Sequence, residues 1–114
     1  MKPGDVCLAL FPFGGAGGRK MRPVLVLTAP LGNVPEYVVA YVTSAVPTDL
    51  LPSDLPVDPA ADAASAATGL TTRSVIRLHK LATLHQRDLV RALGCVADVL
   101  LATARERLRV LLVP

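Results

Sequence analysis

An apolar run opened by a proline fixes the centre of this chain. Val24-Leu25-Val26-Leu27, behind Pro23, reads as a buried strand, and a proline, which lacks the ladder donor, is tolerated at a strand's first position. The ring also pushes the preceding residue, Arg22, out of the helical region into extended geometry. The Arg22 side chain is therefore expected to leave a defined backbone. Upstream stand a glycine-rich stretch, Gly14 to Gly18, and three cations within four residues, Arg19, Lys20 and Arg22. Flexible backbone feeding a cationic cluster that opens onto a rigid strand suits a phosphate.

The common nucleotide fingerprints do not fit this stretch. A P-loop needs Gly-Lys followed by Ser or Thr, whereas Arg19-Lys20 is followed by Met21; a dinucleotide loop needs a helix next, and β-type sequence follows. There is no Gly-x-Ser-x-Gly elbow. Two histidines, two cysteines in apolar runs and scattered carboxylates match no metal-ligand spacing, so no metal or other cofactor is expected. Cys7 and Cys95 read as buried thiols.

The remaining elements follow from period and punctuation. Val6 to Phe11 reads as a first strand ended by Pro12. Tyr37 to Val42 is a strand rich in β-branched and aromatic residues, delivering Thr43 and Ser44 at its end. Residues 45–68 hold four prolines and no basic residue; they predict a long irregular connection with an edge strand near Leu55–Val57 and a helical turn through Ala60–Ala67. Such a connection suggests a functional or mobile element. Ser74 to Leu81 alternates as a half-buried strand, Ile76 and Leu78 facing one way and Arg77 and His79 the other, and Thr83-Leu84 extends it. Gln86 to Ala92 reads as a helical turn and Leu93 to Val96 as a last short strand. From Ala97 the period is helical, with Leu101, Ala104, Leu108 and Leu111 as the apolar stripe.

A length of 114 residues fits one domain, 1–114, and 52% hydrophobic residues support a sizeable core. The ten prolines and eight glycines favour short strands over a helical bundle. No segment approaches the roughly 20 apolar residues of a membrane span, and the start Met1-Lys2-Pro3-Gly4-Asp5 breaks a signal-peptide pattern. A cytoplasmic protein with no membrane partner is expected. Charge is unevenly placed: four cations in residues 1–22, none in 23–72, and eight in 73–114. If the ends meet, they build either a polyanion-binding face or an ordinary solvated surface.

In order, Gly4-Asp5-Val6, Phe11-Pro12-Phe13 with the glycine-rich loop, Arg22-Pro23-Val24-Leu25-Val26-Leu27, Val42-Thr43-Ser44, Gly69-Leu70, Ser74-Val75-Ile76-Arg77-Leu78, Leu84 and Leu93-Gly94 span nearly the whole chain. This ordered set resembles the MazF/PemK family, endoribonuclease toxins of bacterial type II toxin–antitoxin pairs. The resemblance implies a mainly β fold, an SH3-like barrel with a C-terminal helix, working as a homodimer. It also implies metal-independent, sequence-selective cleavage of single-stranded RNA, with neutralisation by a cognate antitoxin. The family's catalytic arginine and threonine carry over to Arg22 and Thr43. Arg19, Lys20, Ser44 and Ser74 are the candidate RNA-binding residues, and the glycines become a lid beside the RNA path. Arg73 departs from the family pattern, standing where proline is common, and so do His79-Lys80, where an acidic residue is common.

The bare residue types have blander readings. A lone arginine at a strand start is ordinarily a surface cation; the glycine loop, Pro23 and Thr43 favour function at Arg22. Phe11 and Phe13 could stack on bases but are expected in the core. Nothing in the sequence brings His79 and His85 together beside Arg22. A rival of another class keeps the barrel and drops the catalysis, as in the CcdB-type toxins that bind a topoisomerase. A binding-only protein has no use for the Arg22/Thr43 pair.

Overall fold

Between Asp5 and Val26 the chain folds back on itself as a hairpin. Strand β1 (Asp5–Pro12) pairs antiparallel with β2 (Arg19–Val26), from Val6 opposite Leu25 to Pro12 opposite Arg19. The computed structural model describes residues 1–12 and 18–114. Phe13 and glycines 14, 15 and 17 lie outside the described residues, and with them the expected core role of Phe13 and the lid role of the loop.

Strand β2 begins at Arg19, five residues before the expected apolar run, so Pro23 sits inside a strand rather than at its mouth. The ladder from β2 to β3 (Glu36–Thr43) starts only with Val24 opposite Tyr41. At Pro23 the strand is therefore paired on its β1 side alone, a position where a missing donor is tolerated.

The rest of the sheet is antiparallel: β4 (Asp54–Val57), β5 (Ser74–His85) and β6 (Leu89–Cys95) complete the order β4-β5-β3-β2-β1-β6. The connection 45–73 carries the expected edge strand and the short helix α1 (Ala63–Ala66), capped by the Asp62 carboxylate accepting from the Ser65 N–H at 2.7 Å. The Thr83-Leu84 segment belongs to β5, which shifts register between Ala40 opposite Leu81 and Tyr41 opposite Arg77. Such a bulge bends the strand and tightens the sheet's coil.

Successive residues of β1 and β2 serve opposite faces, and both faces are covered, which is why their apolar runs are continuous. Val6, Leu25, Ala40, Val42, Ile76 and Leu78 pack with Leu101 and Ala104 of helix α2 (Asp98–Leu112). On the other face Cys7, Ala9, Phe11, Val24, Val39, Tyr41, Leu84 and Leu89 form a second core. Full burial of one such aliphatic side chain stabilises by about 1.5–3 kcal/mol. Leu108 half-buries against the first core, but Leu111, expected in the same stripe, is exposed.

Among the described residues the end strands β4 and β6 do not pair with each other. The sheet is open, and the backbone of residues 67–69 crosses over β6 instead. The Cys95 N–H donates to the Ala67 carbonyl at 3.0 Å. A Cβ at Gly94 would lie closer than 3.0 Å to the backbone of Ala67 and Thr68, and one at Gly69 (φ +74°) closer than 3.0 Å to the Leu93 carbonyl. Both crossings need glycine.

Two expectations about the C-terminal third are corrected. The helical turn after β5 is a single 3₁₀ turn, Gln86–Asp88, and residues from Leu89 onward already belong to β6. Cys7 is buried, its thiol pushed up to about 11 by burial and by the Asp5 charge. Cys95 is exposed, because it lies on the edge strand β6.

Candidate active site

Strands β2 and β3 stop pairing beyond Val24 and Tyr41, and a cleft of about 570 Å³ opens there. Its floor is apolar, built from Leu8, Pro23, Val42 and Leu93, while hydroxyls of Thr43, Ser44, Thr71, Thr72 and Ser74 gather around it. Among the described residues two cations line it, Arg22 from β2 and Arg91 from β6, and no carboxylate does. A concave site with cations and no acid attracts anions.

Arg22 is half-buried in β2 directly opposite Ala9, and its Nη1 donates to the Met21 carbonyl at 3.0 Å. Thr43 is the last residue of β3, and its Oγ1 accepts from the Ala45 N–H at 3.1 Å. That bond fixes the side chain at the turn, and a hydroxyl that accepts still has its own proton to donate. Ser44 follows in the same turn and is exposed, whereas Ser74 is buried and its Oγ donates to the Thr72 carbonyl at 2.9 Å. Ser74 thus braces the Thr71–Thr72 wall of the cleft. All four of these sequence-predicted residues reach one site.

Arg19 and Lys20 do not line it. The Arg19 guanidinium meets the Asp88 carboxylate at 2.6 Å, tying the start of β2 to the 3₁₀ turn. The histidines stay away as well. His85 caps the 3₁₀ turn, its Nδ1 accepting from the Arg87 N–H at 3.0 Å, and His79 lines a separate groove with Leu51, Arg107 and Leu111. Phe11 is in the core, its ring 5.2 Å from that of Tyr41. Among the described residues no group of three or more His, Cys, Asp and Glu side chains gathers in metal-binding geometry.

Sequence reasoning missed Arg91 and the Thr71–Thr72 pair. Read as part of a helical turn, Arg91 had no strand to ride on; in β6 it stands opposite Leu8 of β1.

Residues 2–112 match the family described as PemK-like, MazF-like toxin of type II toxin–antitoxin system. The chain belongs to that family. Its fold is also that of solved family structures. The Mycobacterium tuberculosis toxin MazF-mt6 is 25% identical, with 92% of each chain covered and a TM-score of 0.66. MazF from Deinococcus radiodurans is 22% identical over 97% of this chain and 94% of its own, with a TM-score of 0.66. A mycobacterial endoribonuclease solved in complex with its cognate antitoxin is 19% identical, covering 100% of this chain and 97% of its own, with a TM-score of 0.67. No curated protein sequence gives a significant match. Among the described residues no helix of this family member is long and apolar enough to cross a membrane.

Proposed function

We propose that this toxin-family chain is a sequence-selective, metal-independent endoribonuclease of single-stranded RNA. The observation that carries the reading is the convergence of Arg22 and Thr43 on one cleft, with no carboxylate among the described residues that line it. RNA brings its own nucleophile. The 2′-oxygen attacks the adjacent phosphorus in line and gives up its proton to solvent water. The bond to the 5′-oxygen breaks, and that oxygen takes a proton, leaving a 2′,3′-cyclic phosphate and a 5′-hydroxyl. Charge gathers on the non-bridging oxygens in the transition state. The forked guanidinium of Arg22 suits them, and Thr43 donates a second hydrogen bond or orients the nucleophile. Arg22 acts electrostatically first, with proton delivery to the leaving oxygen as a subsidiary role. Ser44 and Ser74 frame the bound strand, and Arg19 and Lys20 meet its backbone farther out.

The protein acts in the cytoplasm as a homodimer, in a single domain, and a cognate antitoxin neutralises it. A protein partner is favoured by the groove of about 520 Å³ between Leu51, Pro52 and the end of α2 at Val110 and Leu111, apolar residues left exposed in the monomer.

The test is incubation of the purified protein with a long single-stranded RNA in EDTA, followed by end analysis. Cyclic-phosphate ends are expected, and Arg22→Ala should slow cleavage by about 10²–10³-fold, the usual loss for one transition-state donor. Intact RNA across many sequences would favour the non-catalytic alternative, a toxin of the same fold that binds a protein such as a topoisomerase.

A further inference from the structure

Four of the eight cations in residues 73–114 are committed elsewhere. Arg77 binds Asp54, Arg107 donates to the Asp54 carbonyl, Arg109 pairs with Glu106, and Lys80 lies over the Tyr41 ring. Arg73, Arg87, Arg91 and Arg105 are exposed and have no side-chain partner among the described residues, and of these four Arg91 lines the cleft that Arg22 also lines.

Its position follows from register. Leu8 of β1 stands opposite Pro23 on one side and Arg91 on the other, so Pro23, Leu8 and Arg91 form one row across three strands. Strands lie about 4.8 Å apart, which sets the Arg91 backbone about 10 Å from that of Pro23; Arg22 stands in the next row, opposite Ala9, and shares the lining of the cleft with Arg91. Apolar Leu8 lies between, and no acid among the described residues lines the cleft.

We infer that Arg91 binds an RNA backbone phosphate next to the scissile one, holding the strand in register while Arg22 and Thr43 act on the phosphate between them. This rests on the endoribonuclease reading. A strand crossing the cleft from β3 toward β6 meets Thr43, then Arg22, then Arg91, which follows from the order β3-β2-β1-β6. The bases then lie over Leu8, Pro23 and Leu93, an apolar floor. Arg91 is a binding residue and takes no proton.

The experiment measures binding of a non-cleavable 2′-O-methyl oligonucleotide against salt for wild type, Arg91→Gln and Arg91→Lys, with cleavage kinetics on the matching RNA. Each phosphate neutralised on a single strand contributes about −0.7 to the slope of log K against log salt. Arg91→Gln should flatten the slope by about that amount and raise KM more than it lowers kcat, whereas Arg91→Lys should keep the slope. An unchanged slope in Arg91→Gln, with wild type cleaving normally, overturns this inference alone. So does an altered cleavage motif at unchanged slope, which would assign Arg91 to a base edge. Wild-type protein that leaves all RNA intact sinks the endoribonuclease reading itself.

Discussion

Arg22 and Thr43 occupy one register line of the β2–β3 pair, each two residues beyond the last rung, Val24 opposite Tyr41. Side chains two apart on a strand share a face, so the pair is set by the same ladder that stops short of joining it. Two groups that act on one phosphate should be coupled. Thr43→Ala is expected to slow single-turnover cleavage by about 1.5–3 kcal/mol, as for a hydrogen bond to a charged group. The double variant with Arg22→Ala should lose less than the two effects summed, with a coupling of roughly 0.5–3 kcal/mol. Strict additivity would show that the two residues act independently. Thr43→Ser, which keeps the hydroxyl, should recover most of the rate.

The glycine crossing yields a stability prediction. A Cβ at Gly69 or Gly94 meets backbone rather than a movable side chain, so neighbouring strands must part to admit it. Gly69→Ala and Gly94→Ala should each cost on the order of 4 kcal/mol, in the rare severe class of point mutants. Gly18 is the control: its φ is +64° but nothing lies within 4 Å, so Gly18→Ala carries only the left-handed backbone cost, about 1–2 kcal/mol. Urea midpoints rank the three. Equal costs at Gly18 and Gly69 would mean that the crossing is compliant.

How much of this was legible beforehand depended on whether the cause was local. The apolar run Val24–Leu27, the β-branched run ending at Thr43 and the helical period after Ala97 are local patterns, and each falls largely in an element of the expected type, although β2 starts earlier and ends at Val26. Pro23 inside its strand was not legible, because tolerance there depends on which neighbour β2 pairs with. Gly69 and Gly94 were visible as glycines, but their crossing joins segments about twenty-five residues apart. Arg91 hid in Gln-Arg-Asp-Leu-Val-Arg-Ala, where short range gives a turn and the partner strand β1 decides otherwise. Cys95 and Leu111 departed for a similar reason: burial depends on what lies across the sheet, and sequence period cannot supply that.

The two thiols should react differently. Cys7 is buried against the Met1 thioether, 3.4 Å from its sulfur, and its raised pKa keeps it a thiol at neutral pH. Cys95 is exposed. Thiolate is the reacting form, so iodoacetamide at pH 7.5 should add one label to the native protein, at Cys95, and two after denaturation. Mass spectrometry of the peptides reads the result directly. Rapid native labelling at Cys7 would mean that the second core opens far more readily than its packing implies.

Asp54 has no exposed side-chain surface, and Arg77 grips it with Nε to Oδ1 at 3.1 Å and Nη2 to Oδ2 at 3.2 Å, while the Leu51 N–H donates at 2.9 Å. Burial raises the carboxyl's pKa, but these bonds and the charges of Arg77 and His79 outweigh it and hold the group below 3.8. Removing one partner of such a pair costs about 3–5 kcal/mol, which is the loss expected for Asp54→Asn. His79, with its Nδ1 3.9 Å from Asp54, is held below 6.5 by burial first, then by the Arg77 and Lys80 charges, with Asp54 opposing. Glu106 and Arg107 face the same groove. For both groups the unfolded chain binds the proton more tightly, so stability rises with pH across each window. The His79 contribution is complete above pH 6.5 and lost as pH falls below it. That of Asp54 is complete above 3.8 and lost only at lower pH. Denaturant midpoints should therefore hold steady from pH 8 to 7 and begin to fall below about 6.5, and His79→Gln should flatten the segment between 6.5 and 5. The same slope in His79→Gln as in wild type would remove His79 from the account and leave the carboxylates to explain the acid limb.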